Sequence, residues 1–257
     1  MENLKNKTVF ITGATSGIGK SCAYAFAKNG SNLIISARRE NLIREIAEDI
    51  CQKYGVKVYA FKMDVRNKAE VENAIKSLPQ EWKQVDILIN NAGLALGLNK
   101  FYEDDPQNWD VMIDTNVKGL LYVTHALLPG MIERKSGHII NIGSIAGHSA
   151  YPKGAVYCAT KFAVDAITQS LRMDTIDKGI LVSTIDPGLV ETNFSNVRFS
   201  GDADKAKNVY KGLTPLTGDD IADAVIYCAS RPPHVNIAEI TLLAARQASA
   251  TIVYREE

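Results

Sequence analysis

Thr8-Val9-Phe10-Ile11-Thr12-Gly13-Ala14-Thr15-Ser16-Gly17-Ile18-Gly19-Lys20 decides how the rest of the chain is read. Five residues rich in β-formers, 8–12, run straight into a turn with glycines at 13, 17 and 19, and a helical pattern follows over 18–28. A short apolar run closed by glycine reads as a buried strand. Glycine supplies the tight turn and lets backbone approach a pyrophosphate, while the helix start aims N–H groups and partial positive charge at the same anion. The strand before and the helix after give the motif its weight. Its G-x-x-x-G-x-G spacing lacks the Lys-Ser/Thr ending of an ATP-binding loop, so a dinucleotide is the better ligand. Gly13, Thr15, Ser16, Gly17, Ile18 and Gly19 are the candidate contacts.

Outward from this turn, strand-like runs at 32–36, 56–61, 86–89, 138–142, 181–185 and 239–243 alternate with helical patterns at 40–53, 68–77, 107–133, 155–176 and 219–229. Such alternation builds βαβ units and a parallel sheet covered on both faces. Right-handed crossovers make this an α/β Rossmann fold, a doubly wound sheet of seven strands. An eight-fold barrel has similar length but would not place a glycine-rich turn after its first strand. No repeat, low-complexity segment or linker divides the chain, so residues 1–257 are expected to form one domain. The least periodic stretch, 191–217, is expected to belong to a substrate-binding loop at about 189–217, since a long loop in a compact domain is usually functional.

Composition narrows the partners. The 257 residues carry 29 Lys plus Arg and 29 Asp plus Glu, a formal net charge of zero, which argues against nucleic acid and anionic membrane as partners. With 46% hydrophobic and 23% charged residues, disorder, collagen and coiled coil are excluded. Cys22, Cys51, Cys158 and Cys228 are scattered, as are His125, His138, His148 and His234, so neither a disulfide scaffold nor a metal site is expected. No apolar run approaches the ~18–20 residues of a membrane span. Residues 1–7 are polar and do not resemble a secretory signal, which makes the cytoplasm the expected location.

Two further places carry chemistry. After the second strand, where folds that bind NAD place an acidic residue for the ribose 2′-hydroxyl, this chain has Ser36-Ala37-Arg38-Arg39. A carboxylate would repel a 2′-phosphate, whereas Arg38 and Arg39 can bind it through charge-assisted hydrogen bonds, so NADP is expected over NAD. In Tyr157-Cys158-Ala159-Thr160-Lys161, the spacing of four puts Tyr157 and Lys161 on one helical face. A lysine ammonium ~4 Å from the phenol is worth ~4 kcal/mol at an effective dielectric of ~20, about three pKa units. That predicts a tyrosine tuned close to physiological pH for acid–base work. Ser144 follows the strand at 138–142 and offers a hydroxyl to a substrate oxygen.

Taken together, the glycine turn, the serine and the Tyr-x-x-x-Lys pair make the chain resemble the short-chain dehydrogenase/reductase family over nearly its whole length. Residues 12–19 match the family's T-G-x-x-x-G-x-G turn, Asn90-Asn91-Ala92-Gly93 its N-N-A-G stretch, and Pro187-Gly188 with Thr192 its P-G-x-x-x-T segment. The resemblance implies a catalytic tetrad of Asn116, Ser144, Tyr157 and Lys161. It further implies that Asp64 and Val65 contact the adenine, that Asn91, Ala92 and Gly93 line the cofactor cleft, and that Pro187, Gly188, Val190 and Thr192 lie over the nicotinamide. In this scheme Tyr157 removes the alcohol proton, Ser144 fixes the oxygen, and Lys161 holds the nicotinamide ribose. Asn116 anchors a water in the proton relay, and no metal takes part.

Several stretches, among them 78–82, 91–97, 141–147 and 187–199, further resemble the subgroup of NADP-dependent 3-hydroxy acid dehydrogenases. That subgroup implies serine, allo-threonine, 3-hydroxyisobutyrate or malonic semialdehyde as substrate. Such an acid needs a cation for its carboxylate, and Arg198 is the one guanidinium in the segment after Thr192. Substrate contacts are thus expected from Ser144, Tyr157 and Arg198, with Lys153 and Gln247 as weaker candidates. Residues 243–249 replace a proline-containing stretch of the relatives. The alternatives are a reductase of another carbonyl class (ketoacyl, sugar or xenobiotic) and a non-catalytic NADP(H)-sensing protein. The resemblance also implies a homotetramer built from the helices at 107–133 and 155–176 and from the last strand.

Overall fold

The structure is a computed structural model that describes residues 4–256, so Met1, Glu2 and Asn3 of the polar start lie outside the described residues. Seven parallel strands form one sheet in the order β3-β2-β1-β4-β5-β6-β7. They are β1 (Thr8–Thr12), β2 (Asn32–Ala37), β3 (Val58–Lys62), β4 (Ile87–Asn90), β5 (Gly137–Ile142), β6 (Ile180–Pro187) and β7 (Glu239–Leu242). The helices are α1 (Gly17–Lys28), α2 (Glu40–Tyr54), α3 (Lys68–Lys76), α4 (Pro106–Ile113), α5 (Leu120–Arg134), α6 (Ala155–Asp174), α7 (Phe194–Arg198), α8 (Ala203–Asn208) and α9 (Gly218–Ala229). Every predicted strand is present, with no end moved by more than two residues.

Strands β1 and β4 are buried along their whole length. This is why they read as unbroken apolar runs rather than as alternation. The period of two is nonetheless present in where the side chains go. Val9 and Ile11 of β1, with Leu33 and Ile35 of β2, pack on one face against Phe26 of α1, Ile43 of α2 and Val225 of α9. Phe10 and Ile34 point the other way, to Val71 of α3 and Val123, Leu127 and Met131 of α5. Strand order reverses between β1 and β4, which pair through Val9–Ile87, Phe10–Leu88 and Ile11–Ile89. A doubly wound sheet opens a crevice at the carboxyl ends of its strands where this reversal occurs.

Two expectations need correction. The stretch 107–133 is not one α-helix: α4 and α5 are separated by a π-helical turn, Asp114–Gly119. The wide turn goes with a helix bound from both sides. The Asn116 side chain makes hydrogen bonds with both Leu94 N and Leu94 O. A Cβ on Gly119 would lie 2.6 Å from Val65 Cγ2, which brings that turn close against the loop after β3. The aperiodic stretch 191–217 is also not structureless, for it contains α7 and α8 and makes a parallel bridge between Val190 and Leu216. Both helices are single short turns, below the length at which periodicity identifies a helix.

Phe26 is fully buried between the sheet and α9. Phe26→Ala removes a ring from a packed site and is expected to lower unfolding stability by about 3–5 kcal/mol. Urea denaturation followed by circular dichroism measures this.

Candidate active site

The turn after β1 is open to an anion. Gly13 and Gly17 have φ of 69° and 53°, in the left-handed region that glycine tolerates. Ser16 precedes α1 but makes no side-chain capping bond, and no acidic residue occupies the first helical turn. The leading N–H groups of α1 therefore have neither a side-chain cap nor an acidic residue in their own turn. A Cβ on Gly19 would overlap Asn91 Nδ2, so this glycine is what allows helix and loop to meet. Asn91 Nδ2 donates to Thr12 O at 2.8 Å and Gly13 O at 3.2 Å, and Thr12 Oγ1 accepts from Asn91 N and Ala92 N.

At the end of β2, Arg39 donates through Nη2 to Thr15 Oγ1 at 2.8 Å and Ser16 Oγ at 3.2 Å, so its guanidinium lies beside the glycine turn. Asp64 is paired with Arg66 at 2.6 Å. Burial alone would raise the Asp64 carboxyl, but the hydrogen bonds and charge of Arg66, aided by Arg38, hold it below its ordinary range.

These residues lie along one cavity of about 720 Å³ that runs from the turn to the segment after β6. All the predicted cofactor and substrate residues line it except Gly19, and of the four predicted catalytic residues only Asn116 does not. Gly19 is packed against Asn91. Asn116 ties Leu94 to α6, where its Nδ2 donates at 3.0 Å to Thr160 Oγ1. Ser144 caps the short turn after β5 by accepting from Ala146 N, and its hydroxyl reaches Pro187 O at 3.4 Å.

The electrostatics of the tyrosine differ from the prediction. Lys161 Nζ lies 5.9 Å from the Tyr157 ring centroid and donates to Ile142 O at 2.9 Å. The carbonyl at the end of β5 thus holds the lysine. Burial, reinforced by Tyr151, pushes the Tyr157 phenol well above its ordinary value, with Ser144 and Arg198 acting against it. Burial also pushes the Lys161 amine down to about 8, opposed by the Asp186 carboxylate.

At the far end of the cavity the Arg198 guanidinium lies 5.6 Å from both the Tyr151 and Tyr157 ring centroids. It donates to Gly97 O at 3.0 Å and Tyr151 Oη at 3.1 Å. Tyr151 and Phe194 also line the cavity, and Phe194 meets Tyr157 edge-on at 5.7 Å; motif reading missed both. Only their closeness in sequence to Tyr157 and Arg198 could have suggested them. Of the weaker candidates, Lys153 does not line the cavity, whereas Gln247 does. Gln247 is buried and occupied: its Oε1 accepts from Leu189 N at 2.8 Å and its Nε2 donates to Ser249 O. Residues 38 and 53 positions apart are also brought together here. Ligand-capable atoms of His148, Asp186 and Glu239 lie within 4.8 Å of one another, a grouping that no sequence spacing reveals.

The family model for short chain dehydrogenases matches residues 7–203. Over 258 residues, spanning 100% of both chains, the sequence is 45% identical to the NADP-dependent 3-hydroxy acid dehydrogenase of Schizosaccharomyces pombe. It is 42% identical over 250 residues to sulfoacetaldehyde reductase 2 of Chromohalobacter salexigens, covering 96% of this chain and 98% of that one. A solved closed form of serine dehydrogenase complexed with NADP+ superposes with a TM-score of 0.90 at 42% identity, covering 97% of this chain and 100% of the other. With the glycine turn, Ser144, Tyr157 and Lys161 gathered along one cavity and the match extending over most of its length, the chain belongs to the short-chain dehydrogenase family.

Proposed function

We propose that the protein is an NADP-dependent oxidoreductase that moves hydride reversibly between the cofactor and the hydroxyl or carbonyl carbon of small 3-hydroxy acids. The full-length similarity to the 3-hydroxy acid dehydrogenase of Schizosaccharomyces pombe supports this substrate class. The observation that carries it is the guanidinium of Arg198 beside the Tyr157 ring, which puts a fixed cation near the hydroxyl that handles the substrate proton. A carboxylate held by that cation leaves its β-carbon oxygen facing Tyr157 and Ser144. The cavity residues fit the cofactor: the α1 start without a side-chain cap and the Gly13–Gly19 turn suit a pyrophosphate, and Arg38 with Arg39 suits a 2′-phosphate. Asp64, Val65 and residues 91–93 would flank the adenosine half, and Pro187, Gly188, Val190 and Thr192 the nicotinamide half. Bound there, the nicotinamide supplies a hydride donor or acceptor.

The side chains of this chain do the rest. In oxidation Tyr157 takes the hydroxyl proton as the carbon loses hydride; in reduction it returns that proton to the carbonyl oxygen. Ser144 donates a hydrogen bond to the same oxygen. Lys161 contributes positive charge close to the tyrosine, and Asn116 fixes the Leu94 backbone at the cavity wall. The segment 189–217 closes the substrate end within a single catalytic domain. Exposed Ile113, Leu121, Phe162 and Met173, on the helices and the turn from 106 to 174, support a homotetramer built through those faces. Four unpaired cysteines support a cytoplasmic location, and among the described residues no helix is long and apolar enough to cross a membrane.

The similarity to a sulfoacetaldehyde reductase favours a second reading at the same site, with a sulfonate in place of the carboxylate. NADPH absorbance followed with 3-hydroxy acids, malonic semialdehyde and sulfoacetaldehyde separates the two. Tyr157→Phe is expected to lower kcat by about 10³-fold or more while cofactor Kd stays within a few-fold, as stopped-flow binding and turnover measure. Arg38→Asp is expected to reduce the NADP-over-NAD ratio of kcat/KM at least tenfold, since a carboxylate there repels the 2′-phosphate. For Arg198→Ala, KM for the acid should rise about tenfold or more while that for a simple alcohol of the same length stays put; an equal rise for both would remove the clamp.

A further inference from the structure

One carboxylate of the sheet has no part in the chemistry above. Asp186, near the end of β6, is only 2% exposed. Its Oδ1 accepts from the Ser144 backbone N–H at 2.9 Å and from the Thr184 hydroxyl at 3.0 Å. Its Oδ2 is closed to solvent and makes no hydrogen bond. A buried carboxylate oxygen without a partner is costly, so what faces it matters. Pleating sets that neighbourhood. Residues two apart in a strand share a face, and Thr184 pairs with Glu239 while Asp186 pairs with Thr241. Asp186 and Glu239 thus stand on one face of the sheet, whereas Ile185, Ile240 and Leu242 pack on the other. His148 reaches the same face from the end of the short turn that Ser144 caps. Its Nε2 lies 3.3 Å from Asp186 Oδ2 and 3.6 Å from Glu239 Oε1.

We propose that His148, Asp186 and Glu239 form a three-ligand site for a divalent transition metal of the zinc type, apart from the hydride-transfer chemistry. Two donors on one tetrahedral zinc, at bonds of about 2.0–2.1 Å, stand about 3.3–3.4 Å from each other. The separations at His148 are at and just above that span, and one ligand atom from each of the three residues lies within 4.8 Å of the others. Charge points the same way. A protonated imidazole brings one positive charge to two carboxylates, whereas a dication bound by neutral imidazole balances both. The nitrogen donor selects a transition metal over Mg2+ and Ca2+, which are held by oxygen. Asp186 Oδ1 is already engaged by Ser144 and Thr184, so the carboxylate ligates through Oδ2 alone. His148 and Glu239 are partly exposed, which gives the ion a path from solvent and leaves water the fourth position. The role is structural: the ion ties β6 and β7 to the turn that starts at Ser144.

Full-length protein, stripped with a chelator and exchanged into chelator-free buffer, is titrated with Zn2+ by isothermal calorimetry. One Zn2+ per chain is expected, with a Kd of about 1–10 µM, weaker than four-ligand structural sites. Co2+ in its place should give the intense visible bands of four-coordination. His148→Ala and Glu239→Gln should each raise the Zn2+ Kd about tenfold or more, while His125→Ala, on α5, should leave it unchanged. Because both altered side chains are partly exposed, the variants should fold, which thermal melts check. Saturating Zn2+ should raise the wild-type Tm by several degrees and leave the Tm of both variants where it was. No uptake by the wild type at about 100 µM Zn2+ would leave His148 as an ion-pair partner of the two carboxylates and overturn the site. Unchanged affinity in either variant, or displacement of Zn2+ by an equal concentration of Mg2+, overturns it as well. None of these readouts needs turnover, so they stand apart from the dehydrogenase reading.

Discussion

The interlock between Thr12 and Asn91 is the constraint on which the rest of the site depends. Thr12 Oγ1 reaches Ile89 O and accepts from the N–H groups of Asn91 and Ala92, while Asn91 Nδ2 returns to Thr12 O and Gly13 O. These bonds join the ends of β1 and β4 at the one place in the sheet where strand order reverses. Hydrogen bonds buried at such a seam are costly to leave unmade, so the two loops cannot drift apart without loss. The seam fixes where α1 begins and brings Asn91 against Gly19. The cavity has its floor there.

From that floor the polar groups fall into two kinds. Those at the glycine turn and after β2 are cationic or backbone N–H groups set for an anion, and they line one part of the cavity. Those at Ser144, Tyr157, Lys161 and Arg198 sit where water is largely excluded, and burial raises the phenol and lowers the amine. Burial destabilises the charged form of an acid and of a base alike, so each group is pushed toward its own neutral form and the two pKa values move apart. The charges near them, Arg198 for the tyrosine and Asp186 for the lysine, come from different elements of the fold.

Much of this was legible in the sequence because the signals were local. The strand, glycine turn and helix at 8–28 follow each other without interruption, and the spacing of Tyr157 and Lys161 lies within one helical turn. The rest depended on distance along the chain. That Lys161 donates to Ile142 O, 19 residues away, is a tertiary contact that spacing along the helix does not give. Tyr151 reaches Arg198 across 47 residues, and His148, Asp186 and Glu239 meet only once β6 and β7 are paired. The two short helices after β6 carry too few residues for any periodicity to show. Gln247, a weak substrate candidate by sequence, has its amide bound to the backbone at Leu189 and Ser249.

The π-helical turn at Asp114–Gly119 has a consequence beyond the hydrogen bonds of Asn116. An α-helix advances about 100° per residue, so one extra residue in a turn rotates everything beyond it by roughly that angle. Before the turn, Met112 packs with Leu94 and Tyr157 near the cavity; after it, Val123, Leu127 and Met131 pack beneath the sheet. The wide turn works as a phase shifter that lets one helical path serve two differently oriented surfaces. Removing a residue there would therefore misalign a whole hydrophobic stripe, and the damage would be felt three turns away from the site.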